Sequence, residues 1–422
     1  MIRKKLNREV AIVGSGISKY GPAGDGITTR DLFVEAYHDA LKSVEEGLDP
    51  KQIEALYIGN ATSDLFEHQM HIGPIMTNWS GLIPRPAIRI EDACASSGVA
   101  FREAVLSIAS GVYDIVLAAG TEKMTNLPTS EVTEVLAYAL DGVSEFPPGF
   151  TFPGVYAAMC TAHMAKWGTT IEDLMRVAIK SHNNAALNPK AHFNISIKDI
   201  MKNRREKAAK EGKVIPSWGD ELDFLQDSAQ NPVVAWPLRL FDCSTICDGA
   251  SCVLLAAAEI ARNFTDNPLY VIGTGQASDY PLHGRADLAS IAATKYAASQ
   301  AYEMAGVKPK DIKIAEVHDC FTIAEIVAME DLGFFKPGEA VKAINERITE
   351  RNGLLPINTG GGLKAKGHPV GATGTGQIFE IWEQMTGKAG PRQVVNKNID
   401  FGLAQNVGAH GATVVVHIFE KR

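Results

Sequence analysis

A cysteine at the predicted start of a helix is the residue with the clearest capacity for chemistry. Cys94 lies in DACASSG (92–98), where small residues precede an amphipathic pattern that predicts a helix from 94 to about 110. Unpaired backbone N–H groups and the helix dipole at such a position favour a thiolate. We therefore expect the pKa of Cys94 to fall toward neutrality. Simple packing is the alternative, since free cysteines are among the most buried residues.

Two further segments contain partners for a nucleophilic thiol. GGGLKAKGHPVGATGTG (360–376) places His368 in a loop whose seven glycines allow close approach to a ligand, with a purely structural turn as the alternative. EVHDCF (316–321) ends a strand predicted over 312–321 and places His318 and Cys320 on one face. A nucleophile, a base and donors for an oxyanion are what acyl transfer requires. Metal binding is the rival function, but a lone His-x-Cys is a poor zinc signature, and we predict no metal.

The elements that must position these residues follow an alternating order. Short β-branched runs at 9–14, 55–60, 114–120 and 269–276 alternate with helical patterns, which predicts βαβ units on a mostly parallel sheet. A reactive residue, small residues and then a helix occur in this order both in 92–111 and in 366–387. This self-similarity indicates a duplicated half and would bring Cys94 and His368 together at a shared centre.

We divide the chain into an N-terminal half, 1–266, and a C-terminal half, 267–422. The stretch at about 121–245 interrupts the first half with Pro-rich, aromatic and helical segments and is interpreted as an insertion. Its segment 197–214 is the most basic of the chain and includes Arg204, Arg205 and Lys207. These residues predict either a solvated helix face or a patch for a polyphosphate.

Composition excludes several broad classes. The 422 residues carry a net charge of −8, and no long basic block supports nucleic-acid or membrane-surface binding. The apolar runs are too short for a signal peptide or a membrane span, so we expect a cytoplasmic protein. Its six cysteines are then expected to be reduced.

At DACASSG, HDCF and GHPVGATG the chain resembles the thiolases. Within that superfamily it is similar to the sterol-carrier-protein-type and archaeal enzymes that carry an HDCF box, over nearly its whole length. The resemblance implies an α/β fold in which two duplicated βαβαβαββ halves form a layered α-β-α-β-α core with an inserted loop domain. Residues 167–193 resemble the part of that loop domain where coenzyme A binds. Arg204, Arg205 and Lys207 are then expected to contact the phosphates of coenzyme A.

The resemblance also implies roles for the motif residues. Cys94 becomes acylated, and His368 activates Cys94 and then helps to hold the thioester oxygen. His318 positions a water or donates to an enolate oxygen. Common thiolases supply their second catalytic thiol from a Cys-x-Gly-Gly-Gly motif, but the corresponding stretch 402–416 contains no cysteine. Cys320 is therefore expected to act as the acid/base.

The same stretch contains two weaker candidates. The resemblance implies that the region of Gly408 supplies a backbone N–H group to the acyl oxygen. His410 is expected either to assist the reaction or to be an ordinary loop histidine. Aromatic residues in 136–160 either line the acyl pocket or belong to the core; in the first case a bulky or aromatic acyl chain competes with acetoacetyl-CoA as substrate.

The function implied is thiolytic cleavage of a 3-oxoacyl-CoA or the reverse Claisen condensation. Coenzyme A and acyl-CoA are then substrates, and no covalently bound cofactor is required. A homodimer is expected, and a small partner protein with a zinc ribbon and an OB-like fold is an expectation for members with the HDCF box. The alternatives are a non-thiolytic condensing enzyme of the same superfamily and a catalytically silent scaffold that binds acyl-CoA.

Overall fold

The computed structural model describes residues 5–395 and 398–422. Strands and helices alternate along most of the chain. The strands are β1 (Val10–Ile17), β2 (Ala55–Gly59), β3 (Ala87–Ile90), β4 (Ile115–Glu122), β5 (Val233–Ala235), β6 (Leu238–Arg239), β7 (Gly249–Ala257), β8 (Leu269–Ser278), β9 (Ile314–Glu316), β10 (Phe401–Gly408) and β11 (Thr413–Lys421). The helices are α1 (Thr29–Ser43), α2 (Ser63–Phe66), α3 (Ile72–Trp79), α4 (Ser96–Ala109), α5 (Thr129–Ala137), α6 (Phe152–Trp167), α7 (Ile171–Ala185), α8 (Ile197–Lys210), α9 (Glu221–Gln226), α10 (Ala258–Ala261), α11 (Ala292–Ala305), α12 (Thr322–Asp331), α13 (Ala340–Asn345) and α14 (Thr373–Thr386).

The strand order shows the duplication that the sequence predicts. The first half orders its strands β3-β2-β4-β7-β1, and the second half orders its strands β9-β10-β11-β8. In the first half the last strand, β7, lies between β1 and β4. In the second half the last strand, β11, lies between β8 and β10. A parallel bridge between Ala315 and Ile357 lies beside β9, in the place that β3 occupies beside β2. A short antiparallel pairing of β1 with β8 joins the sheets of the two halves edge to edge, so that nine strands are hydrogen-bonded in one continuous order.

The pairing is mixed, so the expectation of a mostly parallel sheet was wrong. Only the pairs β2–β3, β2–β4 and β9–β10 in the large sheet are parallel, and the other pairs that the structure describes there are antiparallel. The reason is the return of β7 and β11 into the middle of each sheet. Strand periodicity reports which residues are buried and does not report the direction of the neighbouring strand.

Helices α4 and α14 lie between the two sheets, α1 covers the outer face of the first sheet, and α11 covers the second. This is the layered α-β-α-β-α arrangement. The two inner helices cross closely, and glycine at 374 makes this possible. A Cβ atom at that position would lie 2.2 Å from the backbone nitrogen of Gly98. Their first turns are also linked by a hydrogen bond of 3.1 Å from the Thr375 N–H to Ser97 Oγ. The two halves therefore meet at the starts of α4 and α14.

Helices α5 to α9 and the small sheet of β5 and β6 fall between β4 and β7. Helix α6 and helix α7 of this region pack against α12 of the second half. The division at residues 266 and 267 lies in the connection between α10 and β8, and we keep it as a proposal. No helix in the part of the chain that the structure describes is long and apolar enough to cross a membrane.

Candidate active site

Cys94 lies in a single turn of 3-10 helix, Ala93–Ala95, that leads directly into α4. Ala93 has a φ of 47°, a left-handed conformation that residues with a side chain rarely adopt. Local hydrogen bonds hold this turn, since the Asp92 N–H donates to Ser96 Oγ at 2.9 Å and the Ser96 hydroxyl donates to the Ala93 carbonyl at 2.6 Å. A strained backbone of this kind fixes the direction of the cysteine side chain.

The electrostatic surroundings of Cys94 differ from what the sequence predicted. Burial, together with a smaller effect of the charge of Glu122, raises the pKa of Cys94 to about 12. The N–H group of Ala409 hydrogen-bonds the sulfur and offsets only part of this rise. The expectation of a pKa near neutrality was therefore wrong, because loss of water outweighs the helix N-terminus. The free protein holds a neutral thiol.

His368 follows a loop whose residues Gly362–Lys366 form one turn of π-helix. Its Nδ1 atom lies 2.6 Å from Thr373 Oγ1, and the Thr373 hydroxyl donates to the Pro369 carbonyl at 3.1 Å. Because the hydroxyl hydrogen is used there, we assign the hydrogen of the imidazole to Nδ1, which leaves a lone pair on Nε2. Burial lowers the pKa of His368 to about 3. His368 is thus a neutral imidazole with a free basic nitrogen.

His318 has the opposite tautomer. Its Nδ1 atom accepts hydrogen bonds from Asn406 Nδ2 at 3.1 Å and from the Val407 N–H at 3.4 Å. The same Asn406 Nδ2 donates to the Cys94 carbonyl at 2.9 Å, which fixes the orientation of the amide. The hydrogen of His318 must then be on Nε2, and within the described residues this buried nitrogen has no hydrogen-bond partner. It is a donor available to an oxygen atom of a ligand.

The three side chains converge from three parts of the chain. The sulfur of Cys94, one nitrogen of His318 and one nitrogen of His368 lie within 4.8 Å of one another. The two imidazole rings meet edge to face, with centroids 5.1 Å apart. A thiol and two imidazoles are also soft-metal ligands, but His318 presents an N–H group where a metal needs a lone pair. The set therefore fits proton transfer better than metal binding.

Cys320 lies after the end of β9 and not in a strand. The predicted strand over 312–321 ends at Glu316, because the His318 N–H donates to the side chain of Gln405 at 2.9 Å and leaves the ladder. The Cys320 carbonyl instead accepts from the Ser244 N–H at 2.8 Å. Burial raises the pKa of Cys320 well above its ordinary value. This second thiol is therefore also neutral in the free protein.

Both thiols open onto one cavity of about 290 Å³, which His368 also lines. The remaining walls are mainly apolar and include Phe152 and Phe321. A second cavity of about 410 Å³ is also lined by Cys94 and extends to Gly408. A Cβ atom at Gly408 would lie 2.7 Å from the Asp92 carbonyl oxygen, so only glycine lets β10 approach the turn of Cys94 this closely.

His410 is engaged in contacts of its own. Its Nε2 atom lies 3.2 Å from Glu145 Oε2, and Arg285 donates to its Nδ1 atom at 2.8 Å and to its carbonyl at 2.9 Å. His410 does not belong to the described lining of either cavity. These contacts fasten the segment around residue 145 to the loop that follows β10. An auxiliary chemical role of His410 stays a prediction.

The three basic residues expected to contact coenzyme A lie on α8. Arg205 donates to the carbonyls of Pro216 at 3.2 Å and of Trp218, so it supports the loop after this helix. Arg204 is exposed, and the exposed Lys207 lies 3.8 Å from Glu211. None of the three is among the described residues lining the two cavities. Their contact with coenzyme A also stays a prediction.

Sequence reasoning missed four residues that arrange this site. Asn406 and Gln405 orient His318, Thr373 orients His368, and Tyr156 lies beside Cys320 and acts on its pKa. One signal was available for Asn406. It stands two residues before Gly408, in the place where the common thiolase motif Cys-x-Gly has its cysteine. Thr373 lies within the GHPVGATG motif, whereas Gln405 and Tyr156 come from positions that no motif marks.

Comparison with protein families agrees with this geometry. A family model described as the thiolase N-terminal domain matches residues 10–259, and one described as thiolase C-terminal domain-like matches residues 275–421. The chain belongs to the thiolase family. It is an enzyme of the acyltransferase class, and among thiolases it lies with the sterol-carrier-protein type.

Curated relatives cover nearly the whole chain. An acetyl-CoA acetyltransferase of Methanothermobacter thermautotrophicus is 40% identical over 98% of this chain and 100% of its own length. The benzoylsuccinyl-CoA thiolase subunit BbsB of Thauera aromatica is 30% identical over 92% of each chain. Bovine sterol carrier protein 2 is 28% identical over 97% of this chain and 72% of its own length.

A solved structure shows the same fold. The Ltp2-ChsH2(DUF35) aldolase aligns with a TM-score of 0.76 over 98% of each chain at 22% identity. At this identity the likeness concerns the fold alone.

Proposed function

We propose that this enzyme cleaves a 3-oxoacyl-CoA with coenzyme A, or catalyses the reverse Claisen condensation, through an acyl group on Cys94. The observation that supports this most strongly is the convergence of one thiol, one basic imidazole and one donating imidazole within 4.8 Å of one another. A second thiol, Cys320, lines the same cavity. Acyl transfer with formation or cleavage of a carbon–carbon bond needs these four functions together.

The first step in the cleavage direction uses the neutral pair of Cys94 and His368. As the sulfur attacks the 3-oxo carbonyl, the thiol proton passes to Nε2 of His368. The carbon–carbon bond then breaks, the acyl group stays on Cys94, and an acyl-CoA enolate departs. His318 stabilises the enolate oxygen with a hydrogen bond from its Nε2–H and keeps that proton, while Cys320 transfers its proton to the enolate carbon. A thiol whose pKa is raised by burial suits this role, since it starts protonated.

The second step returns every proton. Coenzyme A gives its thiol proton to the Cys320 thiolate and attacks the acyl carbonyl on Cys94. The bond from the acyl carbon to Cys94 breaks, and the released sulfur takes the proton back from His368. We propose that backbone N–H groups near Gly408 hold the oxyanion of the acyl group; Gly408 lines a cavity together with Cys94, and the Ala409 N–H contacts the sulfur, which supports this proposal. Loss of one such donor typically costs roughly 10²–10³-fold in rate.

Acetyl-CoA and acetoacetyl-CoA are the substrates that we propose first, because a relative at 40% identity is named acetyl-CoA acetyltransferase. A bulkier aromatic acyl chain is the second candidate. It is favoured by the apolar cavity of about 290 Å³ beside both thiols and by the similarity to a benzoylsuccinyl-CoA thiolase subunit. A panel of 3-oxoacyl-CoAs with free coenzyme A, followed by loss of thioester absorbance, ranks the two.

Coenzyme A is a substrate in this proposal and no covalent cofactor is involved. The insertion supplies the CoA contacts, with Arg204, Arg205 and Lys207 as proposed phosphate ligands. We further propose a homodimer and a small partner with a zinc ribbon and an OB-like fold. The partner is supported by the solved complex of Ltp2 with ChsH2(DUF35). Cytoplasmic location remains part of the same proposal.

Incubation with acetyl-CoA followed by peptide mass spectrometry tests the acyl-enzyme. We expect one added acyl group on the peptide that contains Cys94. Absence of any adduct, together with retained binding of acyl-CoA, would identify a silent scaffold. An adduct without cleavage of any 3-oxoacyl-CoA in the panel would favour a non-thiolytic condensing enzyme.

Replacement of the second thiol separates the two half-reactions. Cys320→Ala should still accept an acyl group on Cys94 from acetyl-CoA, but its thiolysis of a 3-oxoacyl-CoA should fall by about 10²–10⁴-fold. Cys243→Ala is the matched control, because Cys243 lines the same cavity and has no assigned role in the reaction. Unchanged thiolysis by Cys320→Ala would move the acid/base role elsewhere, with His410 the next candidate.

A further inference from the structure

Tyr156 is a buried tyrosine of α6 that the reaction proposed above does not use. Its ring stacks on Phe321, the residue after Cys320, with centroids 4.6 Å apart. Its hydroxyl donates to the Ala409 carbonyl at 3.3 Å and lies close enough to the sulfur of Cys320 to lower the pKa of that thiol. Only 1% of the residue is exposed, so water does not compete for these contacts.

The hydroxyl of Tyr156 has one hydrogen and two neighbours that can accept it. When Cys320 is a thiol, its S–H can donate to the Tyr156 oxygen while the hydroxyl hydrogen stays on the Ala409 carbonyl. When Cys320 is a thiolate, the negatively charged sulfur is the stronger acceptor and attracts that hydrogen. A rotation about the bond between the ring and the oxygen exchanges the two arrangements without moving the ring.

We propose that Tyr156 is a positioning residue for Cys320, and that its hydroxyl turns from the Ala409 carbonyl to the Cys320 sulfur whenever that sulfur loses its proton. This inference rests on the proposed function, in which Cys320 alternates between thiol and thiolate. A thiolate in an apolar cavity needs at least one donor, and Tyr156 supplies it from the inserted region. The direction agrees with electrostatics, because the hydrogen bond from Tyr156 opposes the rise that burial causes in the pKa of Cys320.

The same hydroxyl links the two thiols. The N–H of Ala409 hydrogen-bonds Cys94, and the carbonyl of Ala409 accepts from Tyr156. One residue of the loop after β10 therefore contacts both half-sites. In the proposed reaction Cys320 becomes a thiolate only after Cys94 has been acylated. The hydrogen bond from Tyr156 to the Ala409 carbonyl is therefore lost only when Cys94 already carries the acyl group.

Other titratable and charged groups surround this pair. Burial raises the pKa of both groups; Cys94 and Asp319 add to the rise at Cys320, whereas Arg285 offsets a small part of the rise at Tyr156. Removal of the Tyr156 hydroxyl leaves all of them in place. His368 and Cys243 line the cavity with Cys320, Asp242 and Lys364 act on Cys243, and His318 meets His368 edge to face.

Alkylation of Cys320 by iodoacetamide as a function of pH tests the proposal without depending on turnover. In the full-length Tyr156→Phe variant, peptide mass spectrometry should show the midpoint for Cys320 displaced upward by about one pH unit, which is about tenfold slower alkylation at a fixed pH. The pH profile of thiolysis should move in the same direction, while acylation of Cys94 by acetyl-CoA should keep its rate. An unchanged midpoint for Cys320 would overturn the proposal.

Tyr37→Phe is the matched control. Tyr37 is equally buried, its hydroxyl has no hydrogen-bond partner within the described residues, and it lies on α1, outside both cavity linings. Its loss should leave the Cys320 midpoint and the thiolysis profile unchanged; a shift as large as that of Tyr156→Phe would also overturn the proposal.

Should Tyr156→Phe fail to fold, 3-fluorotyrosine placed at position 156 by codon reassignment gives the second measurement. It keeps the shape of the ring and makes the phenol a stronger donor, so the Cys320 midpoint should move downward. An unmoved midpoint there counts against the proposal. Failure of the wild-type protein to form an adduct on Cys94 contradicts the proposed function instead, and the two failures are thus distinguishable.

Discussion

The segments that carry Cys94 and His368 occupy related places in the two halves, and burial affects them in opposite directions. Each segment leads into one of the helices between the sheets. Burial raises the pKa of the Cys94 thiol to about 12 and lowers the pKa of the His368 imidazole to about 3. Both groups are therefore neutral in the free protein. Cys94 is therefore not a thiolate in the free protein. Its proton leaves only as the sulfur attacks the carbonyl carbon of a substrate.

The backbones of the two segments differ as well. The turn of Cys94 has one left-handed residue, Ala93 with a φ of 47°. The loop before His368 has Gly361, Gly362 and Gly367 in that region. A Cβ atom at Gly362 would lie 2.0 Å from a carboxylate oxygen of Asp319, the residue before Cys320. Position 362 therefore requires glycine, because the second segment packs there directly on the side chain of Asp319 in the HDCF segment.

Replacement of the Cys94 thiol should have the largest effect on activity. Cys94→Ala should lower thiolysis by at least about 10⁴-fold, since the acyl group has no other acceptor. Circular dichroism should show an unchanged fold. Measurable thiolysis by the variant, beyond that contaminating wild-type protein explains, would contradict the assignment of Cys94 as nucleophile.

Replacement of the base tests the other segment. His368→Gln should lower the rate of Cys94 acylation by about 10²–10⁴-fold, because no basic nitrogen then accepts the thiol proton. Rapid-quench measurement of the acyl adduct gives this rate. The adduct should still form slowly, in contrast to Cys94→Ala, and wild-type acylation rates in His368→Gln would exclude His368 as the base.

The same variant tests the sign of the pKa shift. A histidine held neutral by burial binds a proton in the unfolded chain below about pH 6.5 but not in the folded one, so its contribution to stability is lost as the pH falls. With a folded pKa of about 3, His368 should remove about 2 kcal/mol of unfolding free energy between about pH 7 and about pH 5. Urea unfolding of His368→Gln should show a correspondingly smaller loss. Equal losses in both proteins would place the shift elsewhere.

Substitution of Asn406 tests which nitrogen of His318 carries the hydrogen. In Asn406→Asp the carboxylate attracts the His318 hydrogen to Nδ1, so Nε2 no longer donates to the enolate, and thiolysis should fall by about 10²-fold. Asn406→Ala is the matched variant. It keeps the Val407 N–H on Nδ1, so its thiolysis should fall by only about tenfold. An Asp variant as active as the Ala variant would contradict the assigned tautomer.

The smallest effect on activity is expected at His410. His410→Ala should keep thiolysis within about threefold of wild type but lower the unfolding free energy by about 1–3 kcal/mol, because Glu145 and Arg285 lose a buried partner. His38→Ala, on the exposed face of α1, serves as control and should change stability by less than about 0.5 kcal/mol. A large loss of activity in His410→Ala would restore its auxiliary role in catalysis.

Much of the fold was predictable because it depends on local patterns. Hydrophobic periodicity located the strands β1, β2, β4 and β8 and the helix that follows Cys94 within a few residues. The repeated order of small residues and helix indicated the duplication. The direction of the strands was not predictable, since it depends on where β7 and β11 insert. The strand over 312–321 was overextended because its end is set by a side chain of β10, Gln405.

The amino-acid sequence identifies the chemical groups of the site and the two similar segments that precede two helices. The protonation states of these groups depend on how the chain folds. The hydrogen of His318 is placed on Nε2 by Asn406 and Val407, which lie 88 and 89 residues further along the chain. The neutral states of Cys94 and His368 come from the exclusion of water between two sheets. Hydrogen bonds and dielectric surroundings depend on distances in space, and these are set when the two halves pack together.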